Sequence, residues 1–309
     1  MKCASIDIGT NTALLLIVDA GEAMRDIADI ATTVRLGEGL KKTGCISREA
    51  MDRCLKVLQE YCDTAEAHGV EFISCVGTSA LREAGNGEDF IGLVGDRLGI
   101  PIRIISGRDE AYYTYLSVKN DRIVDRERFL IVDIGGGSTE IIAGGGQDLR
   151  SFVSLPVGSV KLTEMFIRND PPAEDEIEAA AVYIRPFLDE RFLGYADALV
   201  GTGGTVTTLA SIVRECAYFD KEKIHGFSIP IGTVCNVVEM LRNMNVAERK
   251  AVKGMEKGRE DIIVQGIVLL REMMSFYGLS ECVVSTKGVR YGVIYEYLAA
   301  AGFPVSFIN

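Results

Sequence analysis

Two patterns of apolar residues alternate along the chain. Short, nearly continuous apolar runs, which are typical of buried strands, lie at residues 71–76, 102–105, 198–200 and 282–285. Segments whose apolar residues recur every three or four positions, as in amphipathic helices, lie at about 47–68, 89–98, 109–118, 174–190, 205–215, 231–243, 258–277 and 289–300. Ser47 suits the N-cap position of the first of these helices. Strands that alternate with helices predict an α/β fold.

A further pattern occurs twice. An apolar strand ends in an Asp, a turn of small residues follows, and a second apolar strand leads away from the turn. The first copy reads Asp-Ile-Gly-Thr-Asn-Thr from Asp7, and the second reads Asp-Ile-Gly-Gly-Gly-Ser-Thr from Asp133. Each copy predicts a β-hairpin with a glycine-rich tip, so that each sheet is mixed rather than purely parallel. Two such hairpins indicate two related lobes that face one another.

The two tips have the composition of phosphate-binding loops. Glycine lets backbone N–H groups converge on an anion, and hydroxyl groups add donors. The candidate phosphate-binding residues are Gly9, Thr10, Asn11, Thr12, Gly135, Gly136, Gly137 and Ser138. Asp7 and Asp133 would repel a phosphate unless a divalent cation intervenes, and Mg²⁺ combines carboxylate with phosphate ligands. One copy alone would favour an ordinary turn, but two copies with Asp at the same place favour phosphate and metal binding.

A third glycine-rich segment opens the helix expected at 205–215. Its candidate anion-binding residues are Gly203, Gly204 and Thr205, which follow a predicted strand and begin a helix whose first N–H groups attract anions. The segment lacks the G-x-G-x-x-G spacing of a dinucleotide site, and the chain contains no Walker A Gly-Lys-Ser/Thr motif. The spacing therefore argues against both a Rossmann site and a P-loop.

Composition narrows the chemistry further. The formal net charge of −11 argues against a nucleic-acid partner but allows a local cationic site. The chain has only two histidines, so acid–base chemistry falls to carboxylates. Its eight cysteines include no C-x-x-C pair, and we expect reduced thiols. No apolar run reaches the ~20 residues of a membrane span, and Asp7 interrupts any N-terminal signal sequence, so we expect a cytoplasmic protein without a membrane partner.

The three glycine-rich segments together resemble the phosphate-1, phosphate-2 and adenosine motifs of the actin, sugar kinase and heat-shock ATPase superfamily. Further motifs are R-L-G-E-G-L from Arg35, G-T-S-A-L-R-E-A-G-N from Gly77, I-S-G-R-D-E-A from Ile105 and H-G-F from His225. In this order they resemble the signatures of the exopolyphosphatase/guanosine pentaphosphate phosphatase (Ppx/GppA) family, over nearly the whole chain. The chain stops at Asn309 and so resembles the short, two-domain members of that family.

The resemblance implies roles for individual residues. Glu110 matches the family's proposed catalytic base. Glu140 matches an acid that acts with Asp133 in placing the metal ion and the attacking water. Arg82, together with Arg35, matches a ligand of the phosphate chain.

Two positions depart from the family pattern. Asp109 stands where the motif usually has Glu, and Tyr291 stands where many members have Glu, which puts any role of that Glu in doubt. The residues alone leave two simpler interpretations open. Glu110 is also typical of an exposed acid in the first turn of a helix, and Arg82 is typical of a surface salt-bridge partner.

The resemblance also implies an architecture and an activity. We expect two ribonuclease H-like (actin-like) lobes with mixed sheets flanked by helices, at residues 1–118 and 119–292, with the active site in the cleft between them. A C-terminal helix at about 293–309 is expected to pack on the first lobe. The implied reaction is Mg²⁺-dependent release of terminal phosphate from inorganic polyphosphate, guanosine pentaphosphate or both. An actin-like kinase or ATPase, and a non-catalytic sensor of the alarmone or polyphosphate, remain alternatives. The sequence leaves substrate preference, processivity, monovalent-cation dependence and a homodimer open.

Overall fold

The computed structural model describes residues 1–21, 24–121, 123–124, 126–145 and 148–303. The chain forms two compact units, one of Met1–Asp121 with Lys287–Asn309 and the other of Arg122–Thr286. The lobe limits expected from the sequence were residues 118 and 292. Residues 304–309, the end of the helix expected at 293–309, lie outside the described residues.

The first unit is built on a five-stranded mixed sheet of order β3-β2-β1-β4-β5. Its strands are β1 Lys2–Ile8, β2 Thr12–Ala20, β3 Met24–Thr33, β4 Phe72–Gly77 and β5 Ile102–Ile104. The first three strands form an antiparallel meander, whereas β1, β4 and β5 run parallel. Because parallel strands end at the same side of a sheet, the segments that follow β1, β4 and β5 lie along one edge.

Helices cover both faces of this sheet. They are α1 Leu40–Thr43, α2 Arg48–Ala67, α3 Ser79–Glu83, α4 Gly87–Leu98, α5 Gly107–Asp121 and α13 Val289–Ala300. The Ser47 hydroxyl accepts a hydrogen bond from the Ala50 N–H at 3.2 Å, which confirms the predicted N-cap of α2. Neighbouring residues of β2 serve different cores, since Leu15 packs with α2 and α4 whereas Leu16 packs with α13. This alternation is the two-residue period of a strand buried on both faces.

The second unit repeats this arrangement with one extra strand. Its six-stranded sheet has the order β10-β11-β9-β6-β7-β8. The strands are β6 Arg128–Ile134, β7 Thr139–Gly145, β8 Asp148–Leu155, β9 Leu199–Thr202, β10 Ser228–Pro230 and β11 Glu281–Val284. The strands β6, β7 and β8 form the meander, β6, β9 and β11 run parallel, and β10 pairs antiparallel with β11. Two mixed sheets of this topology give the expected actin-like fold class.

Seven helices of the second unit are described. They are α6 Ser159–Phe166, α7 Glu174–Ile184, α8 Gly204–Val213, α9 Lys221–Ile224, α10 Ile231–Arg242, α11 Val246–Lys250 and α12 Ile263–Tyr277. Two short 3₁₀ turns, Arg185–Phe187 and Glu190–Phe192, follow α7. Across the described residues of both units, no helix combines the length and apolar character needed to cross a bilayer.

The sequence prediction missed or misplaced several elements. The strands β3 and β8 lie at sheet edges and carry exposed charged residues such as Arg25 and Arg150, so no apolar run marks them. The helix expected at 258–277 begins only at Ile263. Gly258 has a left-handed backbone with φ +84°, which suits a loop rather than a helix. The helix expected to reach residue 190 ends at Ile184, two residues before a proline.

Candidate functional site

In the first unit, the candidate residues lie where the parallel strands end. Asp7, which is 8% exposed, pairs in register with Val76 of β4. The chain after β4 turns at Thr78, whose N–H donates to the Ile8 carbonyl at 3.1 Å. These contacts place Asp7 and the first hairpin tip beside the loop that leads into α3.

The first hairpin tip is held by backbone hydrogen bonds. The Gly9 N–H donates to the Thr12 carbonyl at 3.0 Å and closes the turn. Thr10 and Asn11 are both buried. The Asn11 carbonyl accepts a hydrogen bond from the Arg35 N–H at 2.9 Å, so the segment after β3 packs against the tip. Arg35 itself has φ +48°, a conformation that non-glycine residues rarely adopt.

Arg82 and Glu110 are brought together from two helices. Arg82 lies in α3 and Glu110 in the first turn of α5, and their side chains are 27% and 7% exposed. The Arg82 Nη1 group donates to the Glu110 carboxylate and, at 2.7 Å, to the carbonyl of Ile105, which follows β5. The ion pair thus lies along the same sheet edge as the first hairpin tip. Glu110 is a buried, paired carboxylate rather than the exposed helix-start acid that the sequence had left open.

The neighbouring Asp109 supports the start of α5. Its Oδ2 atom accepts hydrogen bonds from the Ser106 N–H at 3.0 Å and the Ser106 hydroxyl at 2.8 Å. Partial burial opposes ionisation of Asp109, but these hydrogen bonds outweigh it and hold the pKa of Asp109 below its ordinary value. Ser106 precedes α5 and its hydroxyl accepts from the Asp109 N–H at 3.2 Å, so Asp109 and Ser106 together support the start of the helix that carries Glu110.

The second hairpin tip repeats the closure of the first. The Gly135 N–H donates to the Ser138 carbonyl at 3.1 Å. The carbonyls of Gly135 and Gly136 accept hydrogen bonds from first-turn N–H groups of α6, each at 3.0 Å. A Cβ atom at Gly158 would lie 2.6 Å from the Gly136 carbonyl, so glycine there lets α6 approach the tip. Gly137 and Ser138 are also buried.

Asp133 and Glu140 form a carboxylate pair on the second hairpin. They are directly opposed across β6 and β7, and such partners have Cβ atoms about 4.5–5.5 Å apart on the same face of the sheet. Glu140 is 3% exposed, and its Oε1 atom accepts a hydrogen bond from the Ser154 hydroxyl at 2.7 Å. In the first hairpin the residue opposite Asp7 is Leu14.

This pair of carboxylates offers the kind of oxygen ligand that Mg²⁺ prefers. Within the described residues, no group of three or more His, Cys, Asp or Glu side chains is arranged to hold a metal ion. Mg²⁺ needs only one or two carboxylates, because it completes its octahedron with waters and substrate phosphates. Structural zinc, in contrast, takes four protein ligands. Asp133 and Glu140 therefore fit Mg²⁺ bound together with a phosphate.

The third glycine turn is packed against the second hairpin. Gly203 has φ +86°, and a Cβ atom there would lie 2.8 Å from Asp133 Oδ1. Gly204 begins α8, and a Cβ atom there would collide with the guanidinium group of Arg259. Thr205 is 1% exposed. The turn therefore adjoins Asp133 on one side and is covered by Arg259 on another.

Arg259 and Glu256, which no sequence motif marks, lie beside the third glycine turn. The Arg259 Nε group donates to Glu256 Oε2 at 3.1 Å, and the Thr207 hydroxyl donates to Glu256 Oε1 at 3.3 Å. A cation and an anion thus both lie at the N-terminal turn of α8, where the helix dipole favours the anion. Gly258 is the sequence feature that could have pointed to Arg259. A glycine there ends the helical pattern and places the next residue, Arg259, in a loop beside the third glycine turn.

Tyr291, where many members of the family have Glu, belongs to a buried ionic network. Arg290 donates from Nε and Nη2 to the two oxygens of Asp29 at 2.8 and 2.9 Å. The Tyr291 hydroxyl donates to Asp26 at 2.6 Å. Burial works against the Arg290 cation, but Asp29 outweighs it and raises the pKa of Arg290 above its ordinary value, with a smaller contribution from Asp7. The network fastens α13 to β3.

Two ribonuclease H-like units, each with a glycine-tipped hairpin at the end of its first parallel strand, define a protein of the actin-like fold. The sequence pattern of the Ppx/GppA phosphatase family matches residues 16–301. The chain therefore belongs to the Ppx/GppA phosphatase family.

Relatives of known name and structure cover most of the chain. Exopolyphosphatase 2 of Mycobacterium tuberculosis is 31% identical, over 94% of this chain and 97% of that protein. A bifunctional 3-dehydroquinate synthase/phosphatase of Fusobacterium nucleatum is 33% identical over 95% of this chain, which spans only 46% of that protein. A crystal structure of the Aquifex aeolicus Ppx/GppA family member has a TM-score of 0.82 at 30% identity, over 98% of this chain and 99% of that one. An exopolyphosphatase structure from Cytophaga hutchinsonii has a TM-score of 0.89 at 28% identity, over 99% of this chain and 100% of that one.

Proposed function

We propose that this protein releases terminal phosphate from inorganic polyphosphate, from guanosine pentaphosphate or from both, with Mg²⁺ as its cofactor. Membership of the Ppx/GppA phosphatase family supports phosphate-ester or anhydride hydrolysis, and relatives named exopolyphosphatases support a polyphosphate substrate. The observation that carries the proposal is the buried Glu110 beside Arg82 at the edge that holds the first hairpin tip. Phosphoanhydride hydrolysis needs a base and a phosphate-binding cation in one place.

The chain's own residues then divide the work of one displacement reaction. A water oxygen attacks the terminal phosphorus, and the bond from that phosphorus to the bridging oxygen breaks. Glu110 accepts a proton from the water, and the rest of the substrate leaves with the bridging oxygen. Arg82 binds phosphate oxygens through charge-assisted hydrogen bonds. Arg35, beside the first tip, is proposed to bind phosphate oxygens in the same way. The glycine tips at 9–12 and 135–138, and the turn at 203–205, supply backbone N–H donors.

Carboxylates of both hairpins are the proposed metal ligands. Asp133 and Glu140 of the second unit suit Mg²⁺, and Asp7 is the corresponding candidate in the first unit. Bound Mg²⁺ would neutralise negative charge on the phosphate oxygens. Glu140 has a second proposed role, which is to orient the attacking water, because one of its oxygens is already fixed by Ser154.

A comparison of substrates tests this function. Phosphate release is measured from long polyphosphate, tripolyphosphate, guanosine pentaphosphate and ATP, each with Mg²⁺ and with EDTA. We expect Mg²⁺-dependent release from a polyphosphate or the pentaphosphate and much slower release from ATP. Preferential ATP hydrolysis would support the actin-like ATPase. Tight binding of polyphosphate or the pentaphosphate without release would support the sensor.

A further inference from the structure

The contact between Arg82 and Glu110 gives one side chain two competing partners. Arg82 is assigned to the substrate's phosphate, but here its Nη1 group binds the Glu110 carboxylate and the Ile105 carbonyl. Glu110 is assigned to accept a proton, but a carboxylate beside a guanidinium is a weaker base than one without that cation. The two side chains must therefore separate before either performs its proposed task.

We infer that the substrate's phosphate and Glu110 compete for Arg82, so that binding of the phosphate releases Glu110 to act on water. This inference rests on the proposed function. A phosphate carries more negative charge than a carboxylate and offers more oxygen acceptors to the planar guanidinium. Arg82 is 27% exposed and within reach of an anion from solvent, whereas Glu110 is 7% exposed and receives no comparable help from water.

The Ile105 carbonyl makes such an exchange possible without large movement. It accepts a hydrogen bond from Arg82 at 2.7 Å and belongs to the backbone after β5, so it anchors the guanidinium at the sheet edge while the anion changes. Glu110, once separated from Arg82, is a buried carboxylate that has lost this cationic neighbour, and burial without that cation disfavours its negative charge. Uptake of the water's proton removes that charge. Binding of the substrate's terminal phosphate to Arg82 thus makes Glu110 a stronger base only when substrate is present.

A double-mutant cycle measures the competition directly. The probe is methylenediphosphonate, whose P–C–P linkage the enzyme cannot hydrolyse, and affinity is measured by calorimetry with Mg²⁺ present. The four proteins are the wild type, Glu110→Gln, Arg82→Ala and the double variant. Competition predicts that Glu110→Gln binds the probe about tenfold more tightly, because Arg82 no longer has an anionic partner to give up. In the Arg82→Ala background the same substitution is expected to change affinity less than about twofold.

Asp109→Asn is the matched control, since it removes a negative charge from the neighbouring residue that bonds to Ser106. It should leave affinity within about twofold of wild type. Equal tightening by Glu110→Gln in both backgrounds would show a general charge effect and overturn the competition, as would no tightening at all. Thermal melting of each variant checks folding. Binding of the probe does not depend on turnover. If no substrate released phosphate, the proposed function would be contradicted, but the double-mutant cycle would still test the competition for Arg82.

Discussion

Asp7 of the first hairpin is paired with Leu14, whereas Asp133 of the second hairpin is paired with Glu140. The two tips are otherwise closed in the same way, by a glycine N–H that donates to the carbonyl three residues later. The supports behind them also differ. The segment after β3 holds the first tip, and the N-terminal turn of α6 holds the second.

The two units thus place different polar side chains at the matching ends of similar sheets. The first unit adds a cation and a buried acid, Arg82 and Glu110, after its second and third parallel strands. The second unit instead adds Glu140 directly on the hairpin, and covers its next glycine turn with Arg259. Under the proposed function, the first unit supplies the base and one candidate metal ligand, Asp7, whereas the second unit supplies the pair of candidate metal ligands, Asp133 and Glu140. The following predictions test that division.

The largest expected effect is that of Glu110→Gln on turnover. Gln keeps the size of Glu but removes its basicity, and general-base catalysis typically contributes ~10²–10⁴-fold. We expect kcat for polyphosphate to fall by about that factor, with no rise in KM. Both constants should be measured at saturating Mg²⁺. Asp109→Asn, one residue away, should keep kcat within a few-fold of wild type. A near-normal kcat in Glu110→Gln would remove Glu110 from the mechanism and turn attention to Glu140.

Arg82→Ala should act mainly on KM. The substitution removes a charge-assisted phosphate contact worth about 1.5–3 kcal/mol, which corresponds to a rise in KM of roughly 10–100-fold. Arg108→Ala, at an exposed position of the same sheet edge, is the control for a simple loss of positive charge. A KM for polyphosphate that is equal in the two variants would leave Arg82 with a purely structural role as the partner of Glu110.

Glu140→Gln should alter the Mg²⁺ concentration that activity requires and should leave the proposed base, Glu110, unaffected. We expect the Mg²⁺ concentration for half-maximal activity to rise by about 10–100-fold, since substitutions around a metal site have effects of this size. Glu110→Gln should leave that concentration unchanged. Calorimetric titration of Mg²⁺ into both proteins without substrate provides a readout that is independent of activity. Equal shifts in the two variants would end the distinction between the two units.

The sequence was most informative where backbone conformation decides the residue type. Two Asp-Ile-Gly repeats predicted both hairpins, and the strand–helix alternation predicted the fold class, because each depends on short-range preferences. The register between β6 and β7 determines which residue lies opposite Asp133. The repeat itself aligns Leu14 with Glu140, so the sequence contained this difference between the hairpins.

Contacts between distant segments could not be predicted in this way. Glu110 and Arg82 were each singled out, but nothing in their spacing showed that they bind one another through two helices and the Ile105 carbonyl. Arg259 was missed because the helix expected at 258–277 was extended through a glycine of positive φ. The edge strands β3 and β8 were missed because charged edges have no apolar signature.

The smallest expected effect concerns acids that cap helices, one in each unit. Glu176 uses both carboxylate oxygens. One accepts from the Arg168 N–H and the Asn169 amide, each at 2.9 Å, and the other accepts from the Ala173 N–H at 3.0 Å. Asp109 uses one oxygen for both of its bonds. An amide can replace Asp109 without losing an acceptor, but in Glu176→Gln one oxygen becomes an NH₂ group that faces a donor.

We therefore expect Glu176→Gln to lower the free energy of unfolding by about 1–2 kcal/mol at pH 7, and Asp109→Asn to lower it by less than about 0.5 kcal/mol. Burial opposes ionisation of Glu176, but its hydrogen bonds outweigh burial and lower its pKa. A lowered pKa in the folded state means that the stabilisation is complete above the unfolded value near 4.3 and is lost as the pH falls through the folded value. Urea unfolding between pH 7 and pH 3 should show the wild type and Glu176→Gln converging below about pH 4. A difference that persists unchanged to pH 3 would mean that Glu176 acts through packing and not through its charge.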